Sequence, residues 1–368
     1  MIRGLWRRLR QATRLRRVLK WAVVSLLVAI LLLLMPVAYV ELRCRDRATT
    51  SNYQPLITDP AFRRSEANTY LTYPEWHIVY AYDGLSAVLK TGDEHAFDYV
   101  DSIARFWGSA CELTRVASRH GGADWDTRSM IHTIGVSFTV EMLAKAAYEE
   151  TVGRATAWWR GPHKTPQDAA IAAIAADYSA FLRQTPWYRY PFRVKARELW
   201  GPPVGVSLRG WERRIGIGLE YEVKSVYAKV IERAVAATGE AQLVIRSVVS
   251  GIDAAALSRM SGVTVIGPRA DGFEIETPRY DLFTRILVEV ARQGGTIREI
   301  AGNDEIMVTL TVPEGAQAPP KYGTVIYRMK RDGIPGERLL VNVSMADLAA
   351  FLRTYPLGDP GLEHVFDF

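Results

Sequence analysis

The chain has 368 residues and a formal net charge of +6, but eight of its 46 basic residues fall within the first 20 positions, where no acidic residue occurs. The remaining residues carry 38 basic and 40 acidic side chains, a net charge of −2. The folded part therefore lacks the basic surface that a nucleic-acid-binding domain needs, and we expect no nucleic-acid partner.

Residues 21–40 form an uncharged apolar run, WAVVSLLVAILLLLMPVAYV. As a helix it matches a bilayer hydrocarbon core of about 30 Å, so the run predicts a single transmembrane helix. The basic excess on its N-terminal side predicts a cytoplasmic tail over 1–20 and an extracytoplasmic body after residue 40. A cleaved signal peptide is the alternative, but its apolar core would be shorter and an Ala-x-Ala-like site would follow.

The predicted location is the bacterial inner membrane, with the bulk of the chain in the periplasm. Arginine occurs 37 times and lysine 9 times, a bias typical of high-GC bacterial genomes. The two cysteines, Cys44 and Cys111, both fall on the predicted oxidising side. A disulfide between them is the alternative that this compartment allows, but a pair 67 residues apart is not a disulfide framework, and we expect two free thiols.

Residues 41–70 are polar and mixed, and they predict a linker. From 71 to 238 the pattern is helical, with helices expected to about residue 90 and over 94–120, 124–160, 165–184 and 211–238. Glycine and proline pairs separate them, and the second of these longer stretches is expected to break near Gly153. We therefore predict an all-α bundle.

The stretch Thr-Tyr-Pro-Glu-Trp-His-Ile-Val-Tyr at 72–80 is the densest aromatic segment of the chain. It resembles a signature of uncharacterised membrane-anchored bacterial proteins, and the phrase at 135–141 is similar to one of theirs as well. The resemblance covers roughly residues 70–240. It implies a class of membrane-anchored protein and no established activity.

The bundle also contains a candidate internal duplication, in which eleven identities recur at an offset of 78 to 80 residues. A true duplication would place two helical hairpins about a pseudo-twofold axis. The repeated residues are Asp98, Tyr99, Trp107, Arg115, Val116, Arg119, Glu141, Lys145, Tyr148, Arg154 and Ala155, which recur as Asp177, Tyr178, Trp187, Arg193, Val194, Arg197, Glu220, Lys224, Tyr227, Arg233 and Ala234.

After residue 240 the period changes to that of β-strands. Strands are expected at 242–249, 263–267, 273–277, 296–300 and 305–312, with helices after Asp253 and over 279–293. The first four strands predict a βαββαβ, ferredoxin-like domain within 240–312. Residues 321–368 add a hairpin across Asp332-Gly333 and a helix over 345–355. The predicted class is α+β.

The sequence holds no nucleotide-binding glycine loop, no Cys-x-x-Cys, no His-Glu-x-x-His and no nucleophile elbow. We therefore predict no cofactor, no metal and no catalytic residue. Glu75, Trp76, His77 and His132 are ligand or partner candidates, because a carboxylate and an imidazole in an aromatic setting can bind a metal or relay a proton. The alternative is that Glu75 caps a helix, Trp76 packs, His77 faces water and His132 is a satisfied core histidine.

Two charged stripes are further candidates for a partner or ligand surface. In each stripe a glutamate precedes a lysine by four residues, and a tyrosine follows the lysine by three. The three side chains therefore share one helix face. Since other faces of both helices are also apolar, the stripes form either a solvated face or a polar seam between the two helices, and we predict the seam. Their residues are Glu141, Lys145, Tyr148, Glu220, Lys224 and Tyr227.

These features predict a membrane-tethered scaffold or accessory subunit that binds another envelope protein. The alternative is a lipid- or quinone-binding protein with an apolar cavity in the bundle, suggested by its many aromatic residues. A third, weaker option is an enzyme that uses Glu75, His77 and His132.

Overall fold

The computed structural model describes residues 2–47, 49, 53–205, 207–238, 243–270 and 272–368, without the side chains of 2–15 and 234–238. A mostly helical N-terminal part is followed by a region with two four-stranded antiparallel sheets. The α+β class is therefore confirmed.

Helix α1 covers Ile2–Arg43 and contains the predicted apolar run. Its segment Arg16–Arg43 is long and apolar enough to cross a membrane, with a mean hydropathy of 2.8. Most of its apolar side chains are exposed, but Val37 packs against the folded body and Val40 is buried. The C-terminal turns of α1 are thus part of the body, and the predicted linker 41–70 begins inside this helix.

Cys44 and Cys111 form a disulfide, with their Cα atoms 5.1 Å apart. The expectation of two free thiols is wrong. Because α1 continues past residue 40 and packs on the helix that carries Cys111, Cys44 is brought beside that thiol. This proximity depends on tertiary packing, which a spacing of 67 residues does not reveal.

The helical part has a central helix, α3, with α4, α5 and α7 packed around it. Aspartates begin α4 and α5, where Asp98 and Asp124 accept hydrogen bonds from the first helical turn, and Thr165 begins α7 in a capping box. The predicted break near Gly153 is a π-helical turn, Glu149–Gly153. The helices are α2 Ala67–Leu71, α3 Tyr73–Thr91, α4 Tyr99–Arg119, α5 Trp125–Tyr148, α6 Arg154–Arg160, α7 Pro166–Leu182, α8 Phe192–Glu198 and α9 Leu208–Thr238.

The pairs of the candidate duplication fall on equivalent elements in one part of the chain and on different elements in the other. Asp98 precedes α4, whereas its counterpart Asp177 lies inside α7. Arg115 lies in the long helix α4, whereas Arg193 lies in the short helix α8. The later pairs, from Glu141 onward, do fall on two long helical segments, α5–α6 and α9.

The first sheet has the strand order β2-β3-β1-β4, and helices α10 and α11 connect its strands. All its pairings are antiparallel. Helix α11 buries Phe283, Leu287 and Val290 against the sheet. The bounds are β1 Val244–Ser250, α10 Ala254–Arg259, β2 Thr264–Arg269, β3 Gly272–Pro278, α11 Asp281–Arg292 and β4 Thr296–Ile300.

The second sheet has the order β6-β7-β5-β8, and the predicted hairpin is its β6-β7 pair. Strand β5, placed within 240–312 by the sequence, pairs with β7 and β8 instead. One sheet face joins the helical core through Met307 and Leu340, while Val308 and Val341 join the core of the first sheet. The bounds are β5 Glu305–Val312, β6 Thr324–Lys330, β7 Glu337–Ser344, α12 Met345–Thr354 and β8 Gly361–Val365.

Candidate functional site

The six residues of the two predicted stripes meet along the line where α5 and α9 face each other. Lys145 Nζ lies 2.8 Å from Glu220 Oε1, and Lys224 Nζ lies 2.6 Å from Glu141 Oε1. The ion pairs therefore cross between the helices, and the seam is confirmed. Only the pair Glu220–Lys224, at 3.0 Å, also forms along one helix as the spacing suggests.

The seam has a local pseudo-twofold arrangement. The Tyr148 hydroxyl donates to Glu212 and lies against Gly216, where any added Cβ would collide with it. The Tyr227 hydroxyl lies 3.5 Å from Ser137 Oγ, and position 137 corresponds to 216 at the repeat offset of 79. Equivalent tyrosines thus contact equivalent positions on the opposite helix.

Lys224 is held charged in a largely enclosed place. Its ammonium lies 5.3 to 5.9 Å from the ring centroids of Tyr82, Tyr178, Phe192 and Tyr221 and donates to the Tyr82 hydroxyl at 3.0 Å. Burial acts to lower the pKa of Lys224, but the nearby Glu141, Tyr82 and Glu220 raise it well above its usual value.

Glu220 shows the complementary effect. Burial acts to raise the pKa of this carboxyl, but Lys145 and Lys224 outweigh it and lower the pKa to about 2. Glu220 and Lys224 therefore stay charged over the ordinary pH range, which suits an orienting role better than proton transfer.

A second ionic cluster, which the sequence reasoning missed, continues the seam toward the start of α9. Arg209 and Arg213 are fully buried. Arg209 donates to Glu94 at 2.8 Å and to Asp168 at 2.9 Å, and Arg213 donates to Glu149 at 2.9 Å. The pattern Arg-x-x-x-Arg at the start of a long helix was the available signal, since buried arginines require carboxylate partners.

The earlier candidates Glu75, Trp76 and His77 occupy separate environments. Glu75 is exposed, while Trp76 is buried with its ring centroid 3.6 Å from that of His364. His77 is fully buried, so the interpretation that it faces water is wrong. Its Nε2–H donates to the Ser102 carbonyl at 3.0 Å, and burial is the main cause that lowers the pKa of His77 to about 4.

His132 belongs to the junction of α1 and α5. Its Nε2 lies 2.8 Å from Glu41 Oε1, and Arg128 donates to the same carboxylate at 2.8 Å. Arg128 also lines a pocket with Arg45, and α5 packs against α1, so this junction lies at the end of α1.

The outward side of the α5–α9 pair is apolar. Both helices turn one flank into the same core, with Phe138 and Met142 on α5 and Ile217 and Tyr221 on α9. Their opposite flanks therefore lie on one common side, and we call this surface the outward face. It consists of the exposed residues Val140, Leu143, Ala144 and Ala147 of α5 and Ile215, Leu219, Val223, Val226 and Val230 of α9.

No family model, no curated protein and no solved structure matches this chain. Its class is therefore defined by its own fold and site. It is an α+β protein in which, among the described residues, one helix is long and apolar enough to span a membrane. Beside the end of that helix lies a helix pair with charges between the helices and apolar side chains outside.

Proposed function

We propose that this protein is a membrane-tethered scaffold or accessory subunit, and that its outward face binds another envelope protein. In this proposal α1 spans the bacterial inner membrane with its N-terminus in the cytoplasm, and residues 41–368 are periplasmic. The basic tail supports this orientation. The disulfide between Cys44 and Cys111 supports an oxidising compartment for the body.

The observation that carries the proposal is the outward face itself. Leu219 and Val223 are 65% and 61% exposed, and they belong to a strip that extends about 22 Å along α9 from Ile215 to Val230. Scattered exposed apolar residues are ordinary, but a contiguous strip on two adjacent helices marks an interaction surface.

The position of the face favours a partner that is itself anchored in the membrane. Helix α5, which provides half of the face, packs against α1 through the contact of His132 with Glu41, so the face lies on a helix that adjoins the proposed anchor. The chemistry that fits is an apolar helix of another envelope protein. Small residues, Ala144 and Ala147, on one helix beside larger ones on the other provide a groove and a ridge of the kind that helices pack into.

The alternative of a lipid or quinone held inside the bundle receives less support. Two pockets among the described residues have volumes of about 270 and 170 Å³. The first lies on the first sheet, and the second lies among polar ends of α1, α4 and α5. Ligand sites typically enclose about 300–1,000 Å³ and are mostly apolar. Native mass spectrometry that detects a bound lipid or quinone after gentle extraction would revive this alternative.

We also propose that the first sheet and its two helices form a ferredoxin-like module. The order β2-β3-β1-β4 with antiparallel pairing, and the βαββαβ succession, support this. That fold hosts many functions and adds no activity to the proposal.

The partner proposal is tested by pull-down from crosslinked membranes. We expect one recurrent envelope protein with the wild-type chain and its loss with the double variant Leu219→Asp, Val223→Asp. The matched control is Val100→Asp, which alters a 61% exposed valine on α4 among acidic neighbours and is expected to retain the partner. Recovery of no recurrent protein, or equal recovery with the double variant, would contradict the proposal.

A further inference from the structure

We propose that Glu66, His120 and Glu305 form a binding site for a divalent transition-metal cation, of which Zn²⁺ is the representative. Glu66 directly precedes α2, His120 directly follows α4, and Glu305 is the first residue of β5. Three distant segments of the chain thus contribute one ligand each. The site lies apart from the outward face and does not depend on the function proposed for it.

The three donor atoms have the spacing of a coordination shell. His120 Nδ1 lies 2.9 Å from Glu66 Oε1 and 3.6 Å from Glu305 Oε2, and the three atoms all lie within 4.8 Å of one another. Ligands around tetrahedral zinc, with bonds of about 2.0–2.1 Å, are separated by about 3.4 Å. A cation therefore fits between these donors with only small side-chain movements.

The chemistry of the donors selects the class of metal. One imidazole and two carboxylates form a mixed nitrogen and oxygen set, which suits zinc and its neighbours, whereas calcium and magnesium prefer oxygen ligands alone. Three protein ligands also leave a fourth tetrahedral position open for water.

Surrounding residues hold the ligands in place. Asn342 donates from its side-chain amide to Glu305 Oε2 at 2.7 Å, and the Tyr70 hydroxyl donates to Asn342 Oδ1 at 3.0 Å. The Tyr70 ring also lies against His120, with ring centroids 5.0 Å apart. Tyr70 thus supports two of the three ligands at once, which is the role that outer-shell groups have in metal sites.

A bound cation would also balance the local excess of negative charge. Glu66 and Glu305 share the single imidazole of His120, and Asp304 lies close to both carboxylates. Bound metal would neutralise this cluster and join the start of α2, the end of α4 and the second sheet, so the site would act as a cross-link between the helical part and the sheets.

The test is isothermal titration of Zn²⁺ into the untagged full-length chain in detergent. We expect one stoichiometric site in the wild type and a loss of at least about tenfold in affinity in His120→Gln, Glu66→Gln and Glu305→Gln. The matched control is His132→Gln, because His132 also pairs with a glutamate, Glu41, but contacts no second carboxylate in the part of the chain that the structure describes. It is expected to bind as the wild type does.

Asn342→Ala provides a variant outside the ligand set, expected to weaken Zn²⁺ binding about tenfold or more. Thermal melts in the presence of a chelator check that each variant is folded. If a variant does not fold, the Zn²⁺ titration of the wild-type chain alone decides the proposal. A wild-type chain that takes up no stoichiometric Zn²⁺, or folded ligand variants that bind as tightly as the wild type, would overturn it.

Discussion

Helices α9 and α11 bury their side chains in opposite ways. On α11 the apolar residues Phe283 and Leu287 face the first sheet, and Arg285 and Glu289 face outward. On α9 the charged residues Glu220 and Lys224 face the neighbouring helix, and Leu219 and Val223 are exposed. The first arrangement is that of an amphipathic helix complete within its own chain.

The difference between the two helices indicates which apolar surface is left unburied by the fold. Apolar surface removed from water contributes about 25 cal/mol per Å², a gain that α11 obtains within the fold and the outward flank of α9 does not. The charges of the seam are partly desolvated, which costs free energy, and their pairing across the two helices offsets that cost. Since the chain places paired charges between α5 and α9 and apolar side chains outside them, we expect the outward face to be buried against a partner.

The largest expected effect comes from breaking the buried cluster at the start of α9. Arg213→Met leaves Glu149 and Glu212 buried without their main cation, which should lower the free energy of unfolding by about 3–5 kcal/mol. Denaturant titration of the detergent-solubilised chain measures this. Arg285→Met on α11 is the control, because its exposed pair with Asp281 should contribute less than about 1 kcal/mol. Equal losses of unfolding free energy in both variants would contradict the contrast between the buried cluster of α9 and the exposed pair of α11.

The next effect is a pH dependence from His77 in the helical core. Its folded pKa of about 4 lies below its ordinary value of 6.5, so the unfolded chain binds the proton first. The stability is complete above pH 6.5 and should fall by about 3 kcal/mol as the pH drops toward 4. Burial lowers the pKa of His364 too, so it acts in the same direction.

Unfolding curves across this pH range check the His77 prediction. His77→Asn should flatten the slope between pH 6.5 and 4, whereas the exposed His163→Asn should leave it unchanged. Asp332 lies 3.8 Å from His77 Nε2, and its charge opposes the effect of burial. A slope unaffected by His77→Asn would show that this histidine titrates normally in the folded protein.

A smaller effect is expected at the seam. Lys145→Met leaves Glu220 without one of its two cations and should cost about 2 kcal/mol, less than in a fully buried pair because both side chains keep some contact with water. Lys145→Met combined with Glu220→Gln should be milder than the single change. A double variant as unstable as the sum of its parts would indicate that the two groups do not interact.

The smallest effect is predicted for the outward face. Leu219→Ser and Val223→Ser should each change the free energy of unfolding of the isolated chain by less than about 0.5 kcal/mol, because these side chains contact mainly solvent. Leu287→Ala on α11 should cost about 2–5 kcal/mol. If the two serine variants were as destabilised as Leu287→Ala, the outward face would be part of the core.

The sequence predicted the features that depend on local period and composition. The apolar run, the succession from helices to strands, the β6-β7 hairpin and the alignment of Glu141, Lys145 and Tyr148 on one stripe all follow from residue spacing. The seam between α5 and α9 was also predictable from the sequence, because both helices carry apolar residues on more than one face.

What the sequence could not provide depends on long-range packing. The sequence predicted a seam but not its pairing: Lys145 binds Glu220 and Lys224 binds Glu141 across the two helices, and which charges meet depends on how the helices align. The disulfide, the switch of β5 to the second sheet and the burial of His77 have the same origin. Each is decided by which elements meet, and periodicity does not encode that.

The measurement that tests the central claim most directly is photocrosslinking from the outward face in native membranes. A benzophenone amino acid at Leu219 should form an adduct with one other protein, and the same probe at Val100 on α4 should not. Adducts with lipid alone, or with a second copy of this 41.2 kDa chain, would contradict the proposed envelope partner and assign the face to the bilayer or to a dimer instead.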